Sequence, residues 1–171
     1  MSSLLTPSIE ETRAQVHARD RVIQYRRLGP AGAPAVALLG AQGSDDLWAD
    51  LPALLASDHR VFVPTLDLTA EILTDSLASL LEGLGITRTC LVAGGSFALP
   101  ALELAMSAAD LVTRLVLVGG ANGLDEQGAL TTRSSALPMP MLVLPRRIGV
   151  SNAHVLLRGF LERAAVPFHE R

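Results

Sequence analysis

Apolar residues fall along this chain in two alternating rhythms. Ala35–Leu39, Arg60–Pro64, Thr89–Ala93, Arg114–Val118 and Met141–Leu144 are short runs of the kind expected of strands covered on both faces. Between and after them, Asp45–Ala56, Glu71–Leu84, Phe97–Ala109 and Asn152–Arg163 carry apolar positions at helical spacing. Ahead of both sets, Thr12–Ala18 and Arg21–Leu28 alternate on either side of Arg19-Asp20, which predicts a hairpin. Val166–Phe168 predicts a last short strand. Strands alternating with helices imply an α/β fold: a three-layer α/β/α sandwich, mainly parallel, with an N-terminal antiparallel hairpin. Residues 1–11 read as a polar extension and residues 12–171 as a single domain.

Composition narrows the function classes. The chain is 49% hydrophobic and 18% charged, which excludes disorder for most of it. All 14 basic residues are arginine, yet they form no basic stripe, and aromatic residues are only 4%, so no nucleic-acid footprint is present. The apolar runs are too short to span a membrane, and Met1–Pro7 lacks the basic and apolar regions of a signal peptide. A single cysteine, Cys90, excludes an internal disulfide and reads as a small buried hydrophobe, consistent with a cytoplasmic setting. No group of His, Cys, Asp and Glu has metal-ligand spacing, and no cofactor is implied.

The candidate chemistry lies at Leu91–Leu104, where an apolar strand runs into Gly94-Gly95-Ser96-Phe97-Ala98 and then into a helical segment. A serine at such a strand-to-helix turn is strained, and its hydroxyl is exposed. Small residues at 94 and 98 allow the strand and helix to approach closely. The backbone N–H groups after Ser96 lie at a helix N-terminus, where developing negative charge is favoured. This makes Ser96 a candidate acyl-transfer nucleophile. A serine in such a turn also serves as a plain helix cap.

The order of elements, together with the local sequences, resembles the α/β-hydrolase family over most of the chain. Arg21–Pro64 is similar to the family's opening hairpin, oxyanion strand-loop and next strand. Leu80–Ile86 and Thr89–Ala105 are similar to its helix, strand and nucleophile elbow, Leu115–Ala121 to the following strand, and Pro140–Arg147 to the strand that carries the acid. The resemblance implies Ser96 as nucleophile, with the backbone N–H groups of Gln42 and Phe97 as oxyanion donors. Four departures follow. The family's oxyanion-loop histidine is replaced by Gly40, and the usual acid position holds Ile148, leaving Asp125 as the substitute acid. His169 follows the last expected strand in the family's Ser…Asp…His order, but it lies close to the end of the sequence, with His154 as the fallback base. His17 and His59 read as surface residues. Only about sixteen residues, Asn122–Leu137, stand where a cap domain is usual. A capless site would be open, with Leu124, Leu130 and Leu137 exposed around Ser96, suiting a bulky, surface-presented or carrier-bound substrate or a protein partner better than a small buried one; the expected substrate is a small or carrier-bound apolar acyl compound.

Two readings stay open. One is a serine-dependent hydrolase or acyltransferase acting on an ester, thioester or lactone, or the same pocket recruited to lyase or cyclase chemistry. The other is a non-hydrolytic, degenerate member that binds a ligand or partner. A third, a dinucleotide site at Gly40-Ala41-Gln42-Gly43-Ser44 with Asp67 as ribose acid, lacks the Gly-x-Gly-x-x-Gly pattern. A thinly covered last strand suits homodimerisation across its edge.

Overall fold

The structure is a computed structural model that describes residues 11–18, 21–40, 46–65, 73–94, 97–119, 137–145 and 148–163. Its strands are β1 (Glu11–Ala18), β2 (Arg21–Leu28), β3 (Ala35–Leu39), β4 (Arg60–Pro64), β5 (Thr89–Gly94), β6 (Val112–Val118) and β7 (Met141–Leu144). Its helices are α1 (Asp46–Leu55), α2 (Leu73–Gly83), α3 (Ala98–Ser107) and α4 (Val150–Glu162). The expected hairpin, parallel strands and helices are all present. Strand β1 begins at Glu11, which pairs with Leu28. The expected strand Val166–Phe168 and residues 122–136, where a cap is usual, lie outside the described residues.

The seven strands form one sheet in the order β1-β2-β4-β3-β5-β6-β7. Strand β2 runs antiparallel to both β1 and β4, whereas β4, β3, β5, β6 and β7 are mutually parallel. From β3 the chain steps one way across the sheet to β4, then back past β3 to β5 and onward to β6. Right-handed crossovers therefore put α1 on one face and α2 and α3 on the other.

Side-chain alternation along the strands agrees with that placement. Val36, Leu38, Cys90, Val92, Val116 and Val118 bury against Leu51 and Leu55 of α1 and Ala153 and Leu157 of α4. Ala37, Leu39, Leu91, Ala93, Leu115 and Leu117 face Leu77 and Leu80 of α2 and Ala101 and Leu104 of α3. Leu91 is fully buried; burial of such a side chain stabilises by about 1.5–3 kcal/mol. The periods differ, two in the strands and 3.6 in the helices, because each strand feeds both layers and each helix only one.

Helix α4 shares the α1 face. Its Arg158 Nη2 lies 3.6 Å from Asp58 Oδ2, just beyond the end of α1. At its own end, the Arg114 guanidinium donates to the carbonyl of Arg163. The helix therefore runs back down the sheet and finishes beside the start of β6. Among the described residues, no helix is long and apolar enough to cross a membrane.

Candidate functional site

The chain leaves β3 toward β4 on one side and passes to β5 on the other, so the carboxyl ends of β3 and β5 form a topological switch point. In open α/β sheets, ligands bind at such a switch point. Two glycines frame it, Gly40 just after β3 and Gly94 at the end of β5. The indole of Trp48, in the first turn of α1, lies across both. A Cβ at residue 40 would sit 2.3 Å from Trp48 Cδ2, and one at residue 94 would sit 2.6 Å from Trp48 Cζ2. Neither position admits a side chain while the ring is there. With the ring in this place, residue 40 has no room for the histidine the family resemblance implies. Trp48 is half-buried and packs against the α1/α4 core. Pro52, inside α1, has no N–H to donate to the Trp48 carbonyl one turn earlier.

Strand β5 ends at Gly94, and α3 begins at Ala98 with Phe97 as its N-cap. Phe97 has φ −84° and ψ −14°, and it makes no side-chain capping bond. Its ring is buried with the α2/α3 core, and Ala98 is fully buried where helix meets strand. Pro100 falls in the first turn, where its missing N–H costs nothing. The first N–H groups of α3 therefore have no capping side chain from Phe97. Ser96 lies between these described ends, but Gly95 and Ser96 are themselves outside the described residues. So are Gln42, Asp67, Leu124, Asp125, Leu130 and His169. Of the expected nucleophile, base, acid and oxyanion donors, only Phe97 and the fallback base His154 are among those described.

The position where the resemblance expects an acid is part of the core. Ile148 is half-buried against the α1/α4 layer, and its N–H donates to the carbonyl of Pro145 at 3.2 Å. Leu137, expected to be exposed, is half-buried against the α2/α3 core.

Three histidines are described. His17 is exposed, as expected. His59 corrects the surface expectation, since it is buried, with Nδ1 2.8 Å from Asp58 Oδ1. The loop at Gly29, φ +89°, closes over it so tightly that a Cβ there would come within 2.0 Å of the His59 carbonyl oxygen. This His–Asp pair lies between α1 and β4, at the amino end of the parallel strands and the opposite end from Gly94. His154 is half-buried and makes no hydrogen bond among the described residues; it lies one turn before Arg158, on the flank of α4 that faces α1. Cys90 is buried as expected, and burial pushes its thiol up to about 12. The described residues contain no group of His, Cys, Asp and Glu able to hold a metal.

Trp48 is the switch-point residue that sequence reading missed. It is the only tryptophan in the chain. The available signal was a large ring in the first turn of a helix, just after a glycine-bearing loop.

No family model matches the chain, and no curated protein matches it. Solved structures do. The carboxylesterase CesB from Bacillus subtilis superposes with a TM-score of 0.58 and 18% identity, covering 65% of this chain and 44% of the esterase. The 2-hydroxy-6-oxo-6-phenylhexa-2,4-dienoate hydrolase from a Rhodococcus strain gives a TM-score of 0.57 and 18% identity, covering 68% and 48%. A loop variant of a haloalkane dehalogenase from Bradyrhizobium elkanii gives 0.55 and 20%, covering 91% of this chain and 57% of the dehalogenase. The chain thus spans roughly half the length of these similar structures. The reversed strand order, the two helical layers and the superpositions agree: this chain has the α/β-hydrolase fold.

Proposed function

We propose that this chain is a serine-dependent hydrolase or acyltransferase acting on an ester, thioester or lactone. The observation that carries the reading is the close join at the switch point. Strand β5 delivers Gly94 under the Trp48 ring, and within a few residues α3 begins at a buried Phe97-Ala98 pair. That join frames Ser96 on both sides. In the proposed reaction, Ser96 Oγ attacks the acyl carbon as His169 takes its proton, and Asp125 orients His169. The N–H groups of Gln42 and Phe97 hold the oxyanion. The leaving group departs with the proton, and water or an acceptor alcohol then releases the acyl group. Use of the same donors for lyase or cyclase chemistry is a variant of this reading. The substrate is a small or carrier-bound apolar acyl compound, and the buried, unpaired cysteine suits a cytoplasmic setting.

A second reading, a non-hydrolytic ligand- or partner-binding protein, is favoured by two observations. Ile148 is absorbed into the core where an acid is usual, and Trp48 excludes a side chain at Gly40.

Hydrolysis of short p-nitrophenyl esters separates the two. The first reading expects turnover that Ser96→Ala abolishes and that deletion of residues 169–171 lowers by about a thousandfold or more. His154→Ala should leave the rate unchanged. A folded wild-type chain with no turnover above Ser96→Ala would support the second reading.

A further inference from the structure

Strand β7 closes the sheet order, and among the described residues no strand pairs with its outer edge. Two hydrogen bonds set which backbone groups face inward. Leu115 N–H donates to the Pro140 carbonyl at 3.1 Å, and Gly119 N–H to the Leu144 carbonyl at 2.8 Å. Alternation along the strand then turns Leu142 inward with them. It turns the N–H and C=O groups of Met141 and Val143 outward.

A parallel strand reached directly from the end of α4 would be badly placed to cover this edge. Helix α4 lies on the α1 face and ends at the foot of the sheet, where Arg163 meets Arg114. A strand continuing from there, laid parallel beyond β7, would complete its crossover on the wrong face. The crossovers that step in this direction, through α2 and α3, lie on the opposite face. The connection would be left-handed, which such sheets almost never contain.

The edge matches itself instead. When a second β7 runs antiparallel about a two-fold axis through Leu142, Met141 of one copy faces Val143 of the other. Each such pair can exchange both N–H···O=C bonds. Pro140 and Pro145 bracket the strand and limit sliding of that register. The side chains brought together are apolar, and Val143 is 46% exposed. The adjoining helix offers a matching surface. Arg158 sets the flank of α4 that faces α1, so the opposite flank looks out over β7. That flank carries Leu156, 48% exposed. It also carries Gly159, with nothing within 4 Å of a Cβ built there. Two such helices related by the axis would meet through leucine, with glycine allowing close approach.

We propose that a second copy of this chain docks on the outer edge of β7, continuing the sheet across a two-fold axis and pairing the α4 helices. The proposal does not depend on the reaction at Ser96. Its test is the mass of the chain in solution across a concentration series, by sedimentation or light scattering, with hydrogen exchange at the Met141 and Val143 amides. The expected result is a dimer in which both amides exchange slowly. Val143→Pro removes an outward N–H without touching the β6 ladder, and Leu156→Glu places charge on the α4 flank. Each should shift the chain to monomer while far-UV circular dichroism is unchanged. Where Val143→Pro fails to fold, Leu156→Glu and the exchange rates decide. A monomer at all concentrations, or a dimer indifferent to both variants, overturns the proposal. So does a monomer whose Val143 amide is slow until residues 164–171 are deleted, because the chain's own tail would then occupy the edge.

Discussion

The two ends of the parallel sheet use opposite chemistry. At the foot, polar side chains satisfy one another. His59 Nδ1 lies against Asp58 Oδ1, Arg158 reaches Asp58 from α4, and Arg158 Nε pairs with Glu162 at 2.8 Å. At the carboxyl end, the described residues offer almost no side-chain polarity: two glycines, a tryptophan ring and the uncapped start of α3. A His–Asp pair invites a catalytic interpretation, yet here it lies at the end of the sheet away from the switch point, with its groups engaged in holding α1, β4 and α4 together. The carboxyl end, which looks poorer, is where the chain steps from β3 to opposite sides of the sheet. Placement in the fold, more than residue type, separates a structural pair from a reactive site.

The largest expected effect comes from crowding the carboxyl end. Gly40→Ala drives a methyl group into Trp48 and should cost about 3 kcal/mol, read as a lower urea midpoint. The added Trp48→Ala change should return at least about 1 kcal/mol of that loss in a double-mutant cycle. Additive costs would mean that the ring does not lie where the contrast needs it.

Next, His59→Ala should lower stability by about 1–2 kcal/mol through the lost buried contacts with Asp58. It should leave ester turnover untouched, and a large loss of turnover in a folded variant would erase the distinction between the two ends.

Cys90, in the strand between them, gives a smaller, pH-dependent effect. Its folded thiol is raised from an ordinary value near 9.0 to about 12 by burial, so above pH 9 the unfolded chain loses a proton that the folded chain keeps. Stability therefore falls as pH rises through that window, by roughly 1.4 kcal/mol at about pH 10. Cys90→Ala should flatten that part of the stability–pH curve.

The smallest effect is at Arg158, an exposed residue whose charged form is favoured first by its hydrogen bond to Glu162. Arg158→Ala should move the urea midpoint less than any other change, and the shift should vanish in high salt.

Much of this fold was legible in the sequence because the inner parallel strands bury both faces. Continuous apolar runs located β3, β4 and β7, with the bounds that the structure has. Strand β6 starts at Val112, two residues before the expected Arg114, because Thr113 and Arg114 interrupt the run although Val112 is fully buried and pairs with Thr89. The face taken by α4 was not legible, since amphipathic spacing tells which side of a helix is buried but not against which layer. His59 was misplaced because its burial is a tertiary matter: Gly29, thirty residues earlier in the chain, packs against its carbonyl. The glycine at position 40 was noticed as a departure, but its cause, the Trp48 ring, is a tertiary contact invisible to local pattern. Of the site itself, the turn around residue 96 was legible from its small residues and apolar flanks. Gln42, Asp125 and His169 rest on the resemblance alone.

The central claim is that the reactive group is the serine at the carboxyl end and that the His–Asp pair at the foot plays no part in its reactivity. A fluorophosphonate probe tests both halves, read as the mass of the intact protein followed by peptide mapping. The account predicts one adduct, on Ser96, in the wild-type chain and in folded His59→Ala, and none in Ser96→Ala or in the urea-unfolded chain. A folded wild-type chain that takes up no probe, or an adduct that disappears in folded His59→Ala, would contradict it.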